Sequence, residues 1–488
     1  MQSLFIILFW GTLSWALPGS REIHPLVPDV EFRALFLATA WNIDWPSSSS
    51  ASPATQQQEL IDYLDLMQEA NFNALHFHVR PASDALYASN VDPWSRFLTG
   101  TQGTAPNPLW DPLSFCITEA HSRGIEVHAW LNPYRANTAA SFDGLHSSHI
   151  ANVLRQYAYI YDSYVYMDPA SLQVEDWLIE VIEDIIARYD VDGIHYDDYF
   201  YPYPVAGVDF PDDATYEDYL QGGGTLARDD WRRANVDRMV ERTYMTIKNE
   251  KPGCVFSISP FGIYRPGHPE GMAPPIVGMD PYSEMYADAK LWLQMGWVDA
   301  MAPQIYWAID PPAQSYPVIV DWWLDNNPLG RLVYPCNGVY KMSDFNDWPV
   351  SEIVNQVDLT RDEGRRGKEC LGNNFYSAKS FRDNTKGLYD VFQADVYPTP
   401  AVTPPLGWIE AATPIQMDAV QVDGDIITWT SSGDAMFWRL YCLQDDTWRL
   451  CQIIPGRERS VEVTKGIYTV VAVDASRREG DKVLVTVE

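Results

Sequence analysis

Two aspartates stand side by side at 197 and 198 in the run DVDGIHYDDYFYPYP, residues 190–204. Adjacent Cα atoms lie ~3.8 Å apart, so both carboxylates serve one small volume. Close acids disfavour double ionisation, and one pKa rises unless a cation intervenes. Hydrolysis of a glycosidic bond needs such a pair: a proton for the leaving oxygen and a carboxylate for the oxocarbenium-like centre. It also needs flat faces against pyranose rings, and Trp41, Trp45, Trp94, Tyr199, Tyr201 and Trp307 fall at or just beyond strand-like runs. If Asp197 is a nucleophile, a more distant second acid is wanted. The segment PYSEMYADAK offers Glu284 and Asp288, with Glu284 near a helix start, where an acid is also favourable on structural grounds.

The elements that must position these groups alternate along the chain. Eight β-type runs occur: FRALFLATA (32–40), ALHFHVRP (74–81), EVHAWLNPY (126–134), GIHYDDYF (193–200), VFSISPFG (255–262), DAMAPQIYW (299–307), LVYPCNGVYK (332–341) and GNNFYSAKS (372–380). Helical patterns fall at about 56–70, 111–123, 173–189, 229–250, 284–296, 350–364 and 385–393, with a weaker one at 314–326. Gly124 and Gly296 stand where helix C-caps belong. Strand–helix alternation implies parallel strands with crossover helices. Eight repeats over 32–394 predict a (β/α)8 TIM barrel. A doubly wound sheet is the alternative, but Ala40-Trp41-Asn42-Ile43 replaces the Gly-rich turn that fold places after its first strand.

Alternation within strands sorts side chains between lumen and helices. With Leu75, Phe77 and Val79 outward, His76, His78 and Arg80 point inward. The same reasoning turns His128, Trp130 and Asn132 inward, then His195 and Asp197, then Ala302, Gln304 and Tyr306. Polar groups therefore converge at the C-terminal strand ends, where barrel enzymes build their sites.

After residue 394 the texture changes. DVYPTPAVTPPLG reads as a stiff Pro-rich linker over 395–405. Residues 406–488 carry short strands and no helical pattern, which predicts a small all-β sandwich of fibronectin type III kind that buttresses the barrel or binds sugar. Cys442 and Cys451 flank a turn at Asp445-Asp446-Thr447, a spacing compatible with a cross-strand disulfide. The other four cysteines leave their pairing open. Residues 1–16 form a short apolar leader ending in Ser14-Trp15-Ala16, which predicts a cleaved signal peptide, a secreted or extracytoplasmic protein and no membrane span after cleavage. The net charge of −32 argues against nucleic acid and anionic lipid as partners and tolerates a neutral or basic substrate, while the acid pair and aromatic faces point to a polysaccharide.

Other chemistries fit less well. His76-x-His78, with His128, His195 and Asp197 nearby, admits a metal-dependent polysaccharide deacetylase, but HExxH is lacking and no metal is assigned. G-x-S-x-G is absent, and Gly222-Gly223-Gly224 lacks the context of a phosphate cradle, so no cofactor is expected. A non-catalytic glycan-binding protein using the same cleft remains the alternative from another class.

Several longer motifs carry a resemblance. FLATAWNIDWPS (36–47), HVRPASDALYASNVDPWSRFLTGTQG (78–103), HAWLNPYR (128–135), VDGIHYDDYFYPYP (191–204), DWRRANVD (230–237), ISPFGIYR (258–265) and APQIYW (302–307) resemble the glycosyl hydrolase-like 10 family. The similarity runs from about 32 to 394, and the last segment resembles the fibronectin-like modules that follow this barrel. It implies an exported glycoside hydrolase, with relatives acting on peptidoglycan glycan strands stripped of stem peptides. By motif it implies Asp197 and Asp198 as the catalytic acids and Arg80, Asn132, Tyr134, Arg135, His195, Gln304, Tyr306 and Trp307 as sugar contacts. Glu284 stands where similar sequences favour Asp.

Overall fold

A computed structural model describes residues 28–409, 415–444 and 447–488. The leader over 1–16 and the turn residues Asp445 and Asp446 lie outside the described residues. The barrel strands are β1 (Phe32–Leu37), β2 (Ala74–Arg80), β3 (Glu126–Leu131), β4 (Gly193–Tyr196), β5 (Val255–Ile258), β6 (Ala300–Met301), β7 (Leu332–Val333), β8 (Cys336–Asn337) and β9 (Gly372–Phe375). All pair in parallel, in the order β7-β6-β5-β4-β3-β2-β1-β9-β8. The two ends of that order are halves of the single expected run 332–341. Tyr334-Pro335 separates them: β7 bonds back to β6, β8 forward to β9, and the sheet closes. Pro335 has no N–H to give a ladder, which is why the seventh strand is broken where it changes partner.

Helices cross between strands near where the sequence periodicity places them, but the expected 284–296 is split into Pro281–Glu284 and Ala289–Met295, and 385–393 is α-helical only over Leu388–Val391. Those at Pro53–Glu69, Pro112–His121 and Leu172–Arg188 start on Ser52, Asp111 and Ser171, whose side chains accept N–H bonds from the first turn. Gly124 and Gly296 adopt φ of 73° and 71°, the left-handed geometry that ends helices. Leu75, Phe77 and Val79 join the shell between strands and helices, as alternation requires. The lumen is filled instead by Phe32, Phe36, His76, His128, Trp130 and His195, whose rings pack edge-on or stacked along the axis. β4 opens on glycine because a Cβ at Gly193 would sit 2.4 Å from His128 Nδ1.

The C-terminal region is a small antiparallel sandwich. One sheet combines Met417–Asp423, Ile426–Ser431 and Ser460–Glu462; the other combines Thr447–Pro455, Phe437–Gln444, Gly466–Val473 and Glu479–Val487. Cys442 and Cys451 are bonded across one hairpin, Cα atoms 6.0 Å apart, while Cys116, Cys254, Cys336 and Cys370 are free and buried.

The segment 395–405 is not a free-standing spacer. It lies across the N-terminal end of the barrel, where the carbonyls of Thr399 and Ala401 accept from Arg33 Nη1 (2.7 Å) and Asn73 Nδ2 (2.9 Å), and Glu31 N–H donates to the Val402 carbonyl (2.9 Å). Strand starts leave backbone and side-chain donors there that must be satisfied once buried. The sandwich completes the closure with Arg477, whose Nη2 and Nε reach the two carboxylate oxygens of Glu126 at 2.7 and 2.9 Å. Among the described residues no helix is long and apolar enough to cross a membrane.

Candidate active site

β4 ends at Tyr196, and the next two residues turn Asp197 and Asp198 into a cavity of about 180 Å³ at the C-terminal mouth of the barrel. Its wall is aromatic: Phe36, Trp41, Trp130, Tyr199, Tyr306, Tyr340 and Tyr376 all line it. The last strand ends and loops of the barrel supply them, so residues far apart in sequence meet here. A larger space of about 480 Å³ opens at the opposite end, between barrel and sandwich. Its lining has no adjacent acid pair and no aromatic wall, so the mouth is the candidate site.

Asp197 is 4% exposed and accepts from Trp130 Nε1 (3.2 Å) and Asn132 Nδ2 (3.1 and 3.2 Å to its two oxygens). Burial raises its pKa to about 7, with Arg135 opposing and the Asp198 charge adding. Asp198 is 3% exposed and accepts from the Tyr203 hydroxyl at 2.5 Å. Burial raises it too, against the pull of Tyr203 and Gln304. Neither forms an ion pair among the described residues. Two buried acids with raised pKa values and only neutral hydrogen-bond donors suit proton exchange, Asp197 near neutrality.

Arg135 supplies the positive charge at longer range. Its guanidinium donates to the Pro81 carbonyl (3.1 and 3.0 Å) and lies 5.3 and 5.0 Å from the ring centroids of Trp41 and Tyr199. Asn132 has a second task, accepting from Arg135 N–H at 2.8 Å, which fixes the turn after β3. Gln304 and Tyr306 line the cavity, Gln304 donating to the Ser259 carbonyl at 2.9 Å.

The remaining expected contacts lie elsewhere. His195 sits one layer below in the lumen, bonded to the Ser257 and Ser259 hydroxyls at 2.7 and 2.9 Å; only Ser259 reaches the cavity. Arg80 does not line it. The pairing of β2 with β3 slips between His78 and Arg80, and this bulge takes Arg80 out of the inward phase. It pairs with Asp92 at 2.6 Å, whose other oxygen accepts from Trp177 of a surrounding helix. Tyr134 is fully buried in the shell, because β3 stops at Leu131 and strand alternation does not extend past that residue. Trp307 packs on Phe261, outside the lining. Glu284 is exposed and turns back on its own short helix, accepting from Asp280 N–H at 2.9 Å; it takes no place at the acid pair. His76 bonds Asn374 at 2.8 Å while His78 stacks on Trp130 at 3.8 Å, so the two do not converge on a common point. Among the described residues no cluster of three or more His, Cys, Asp or Glu is arranged around a metal-sized gap.

Sequence reasoning did not assign Tyr203, Tyr340, Tyr376 or Ser259. The tyrosine-rich run YFYPYP signalled the first, and Tyr376 directly follows β9 as Asp197 follows β4. Tyr340 comes from a loop whose course no periodicity encodes.

Fold and site define a class: a (β/α)8 enzyme with paired carboxylates in a small, aromatic-walled cleft. Comparison with known proteins agrees. The glycosyl hydrolase-like 10 family profile matches residues 31–334. The chain is 38% identical over 406 residues to the glycosyl hydrolase YngK of Bacillus subtilis (strain 168), covering 81% of this chain and 78% of that protein. It is 36% identical over 353 residues to the glycosyl hydrolase DigH of Escherichia coli (strain K12), covering 67% and 79%. Among solved structures, the glycoside hydrolase domain of PgaB (BpsB) from Bordetella bronchiseptica aligns with a TM-score of 0.48 at 13% identity, over 74% of this chain and 99% of that one. The chain belongs to the glycosyl hydrolase-like 10 family and is a glycoside hydrolase.

Proposed function

We propose that the protein is exported and cleaves O-glycosidic bonds in an amino-sugar polymer, foremost the glycan strands of bacterial cell wall. The observation that carries the catalytic reading is the pair of buried, ion-unpaired aspartates sharing one aromatic cavity. The amino-sugar polymer rests on the resemblance of residues 32–394 to the glycosyl hydrolase-like 10 family, whose bacterial members look like enzymes acting on peptide-free glycan strands. Export is supported by the apolar leader and by the Cys442–Cys451 bond.

In this reading Asp198, held by the Tyr203 hydroxyl, donates its proton to the leaving oxygen. Asp197 faces the anomeric centre as a carboxylate, with Trp130 and Asn132 fixing its orientation. On an N-acetylated sugar, the acetamido oxygen attacks the anomeric carbon instead, and Asp197 orients that group while the C–O bond to the leaving sugar breaks. Water then adds at the anomeric carbon and returns a proton to Asp198.

The test incubates wild type, Asp197→Asn and Asp198→Asn with peptide-free peptidoglycan strands and with chitin-type oligosaccharides, reading products by mass spectrometry. New reducing ends made by wild type and by neither variant are the expected result. Acetate release without chain scission would favour a deacetylase. Binding without either product, unchanged in both variants, would favour a lectin.

A further inference from the structure

The cavity over the acids is small. At about 180 Å³ it falls below the roughly 300–1,000 Å³ of sites that enclose drug-sized ligands. On the glycan-hydrolysing reading it has room for little more than the reacting sugar, and the rest of a chain lies across the rim. At that rim the backbone does something costly. Trp41 and Asn42, both with φ of 53°, form two successive left-handed non-glycine residues, each worth on the order of 1–3 kcal/mol of strain. The turn is pinned: Asn42 Nδ2 donates to the Phe97 carbonyl at 2.8 Å, and the Asp44 carboxylate accepts from Ala38 N–H (2.7 Å) and the Ser377 hydroxyl (2.6 Å). What this geometry presents is an indole 48% exposed beside Ile43, 37% exposed, both lining the cavity that contains Asp197 and Asp198. The Arg135 guanidinium lies over the ring, 5.3 Å from its centroid, and Tyr164 meets it edge to face at 6.2 Å, which steadies the indole and leaves about half of it exposed. Folding alone gives no return on an exposed tryptophan on a strained turn.

We propose that Trp41 is a substrate-binding platform that takes the apolar face of the sugar neighbouring the one in the cavity, so that the enzyme is selective for chains over single sugars. The assignment rests on the glycan-hydrolysing reading above, but not on the identity of the glycan.

The test compares wild type, Trp41→Ala and Trp41→Phe on whichever polymer wild type cleaves among peptide-free peptidoglycan strands, chitin-type chains and a neutral hexose polymer. Trp41→Ala is expected to raise KM for the polymer about tenfold, well beyond any rise in the inhibition constant of the polymer's constituent single sugar. Trp41→Phe is expected to recover most of the loss. An unchanged polymer KM overturns the proposal. So does a single-sugar constant that rises in step with KM, since that reports a collapsed cavity, or a single sugar that fails to inhibit wild type. Wild type that cleaves only the neutral polymer overturns the amino-sugar reading and leaves the Trp41 comparison intact on that polymer. Wild type that cleaves none of the three overturns both.

Discussion

The two ends of the barrel treat buried charge in opposite ways. At the N-terminal end each acid is matched. Glu31 meets Arg33 and Arg361 at 2.8 and 2.7 Å, Glu126 meets Arg477 at 2.7 Å, and Asp299 meets Lys248 at 2.5 Å. Burial works against ionisation of Glu31 and Glu126, but the adjoining arginines outweigh it and both pKa values fall. At the C-terminal end Asp197 and Asp198 are as deeply buried, yet only neutral donors touch them and both pKa values rise. Burial therefore does not decide the fate of an acid; the partner does. One end uses carboxylates to weld the sandwich and strap to the barrel. The other holds them ready to change protonation, at a cost in stability.

The sharpest way to break this contrast is to neutralise an acid at each end. Asp197→Asn is expected to abolish turnover, by roughly a thousandfold or more, without lowering the melting temperature at pH 7 and above, because it removes an unpaired buried carboxylate. Glu126→Gln is expected to do the reverse. It strands the Arg477 guanidinium and destabilises the protein by about 3–5 kcal/mol in urea unfolding. Adding Arg477→Met to Glu126→Gln is expected to recover part of that loss, since the stranded charge is gone.

Stability against pH sharpens the same point. The folded-state pKa of Asp197 is raised from 3.8 to about 7, so the folded protein binds a proton the unfolded chain has released in that window. Its contribution favours folding below pH ~4 and is lost as pH climbs towards 7. Glu31 has the opposite sign: lowered from 4.5, it supports folding above that pH and loses the effect as pH falls through its folded value. Melting temperatures from pH 4 to 7 should therefore decline in wild type relative to Asp197→Asn. An identical pH trend in the two proteins contradicts the assigned shift.

The smallest expected effect is at Tyr203. Tyr203→Phe removes the hydroxyl bonded to Asp198 and lets that pKa rise further. If Asp198 is the proton donor, the alkaline limb of the pH–rate profile moves upward, by about a unit or less.

Much of this was readable because barrel strands encode their faces in a two-residue period. GIHYDDYF placed His195 and Asp197 on the inner side, and alternation in β2 correctly assigned His76 to the lumen and Phe77 to the shell. Alternation carries no information where the period is interrupted. The bulge before Arg80, the stop of β3 ahead of Tyr134 and the helix turn that claims Glu284 are local departures that a hydrophobic pattern cannot register. The Pro-rich run 395–405 has the composition of a spacer, but the donors it satisfies, Arg33 and Asn73, are more than 300 residues away in sequence. Tyr340 and Tyr376 reach the cavity only because the barrel closes between β8 and β9, a fact of topology rather than of local sequence.

In the proposed mechanism the acid pair at the mouth directs water to a glycosidic bond. The most direct measurement is cleavage of the substrate glycan in ¹⁸O-labelled water, with mass spectrometry of the fragments from wild type, Asp197→Asn and Asp198→Asn. One heavy oxygen at each newly formed reducing end, made by wild type and by neither variant, is the predicted result. Labelled fragments released at the wild-type rate by both variants would contradict it.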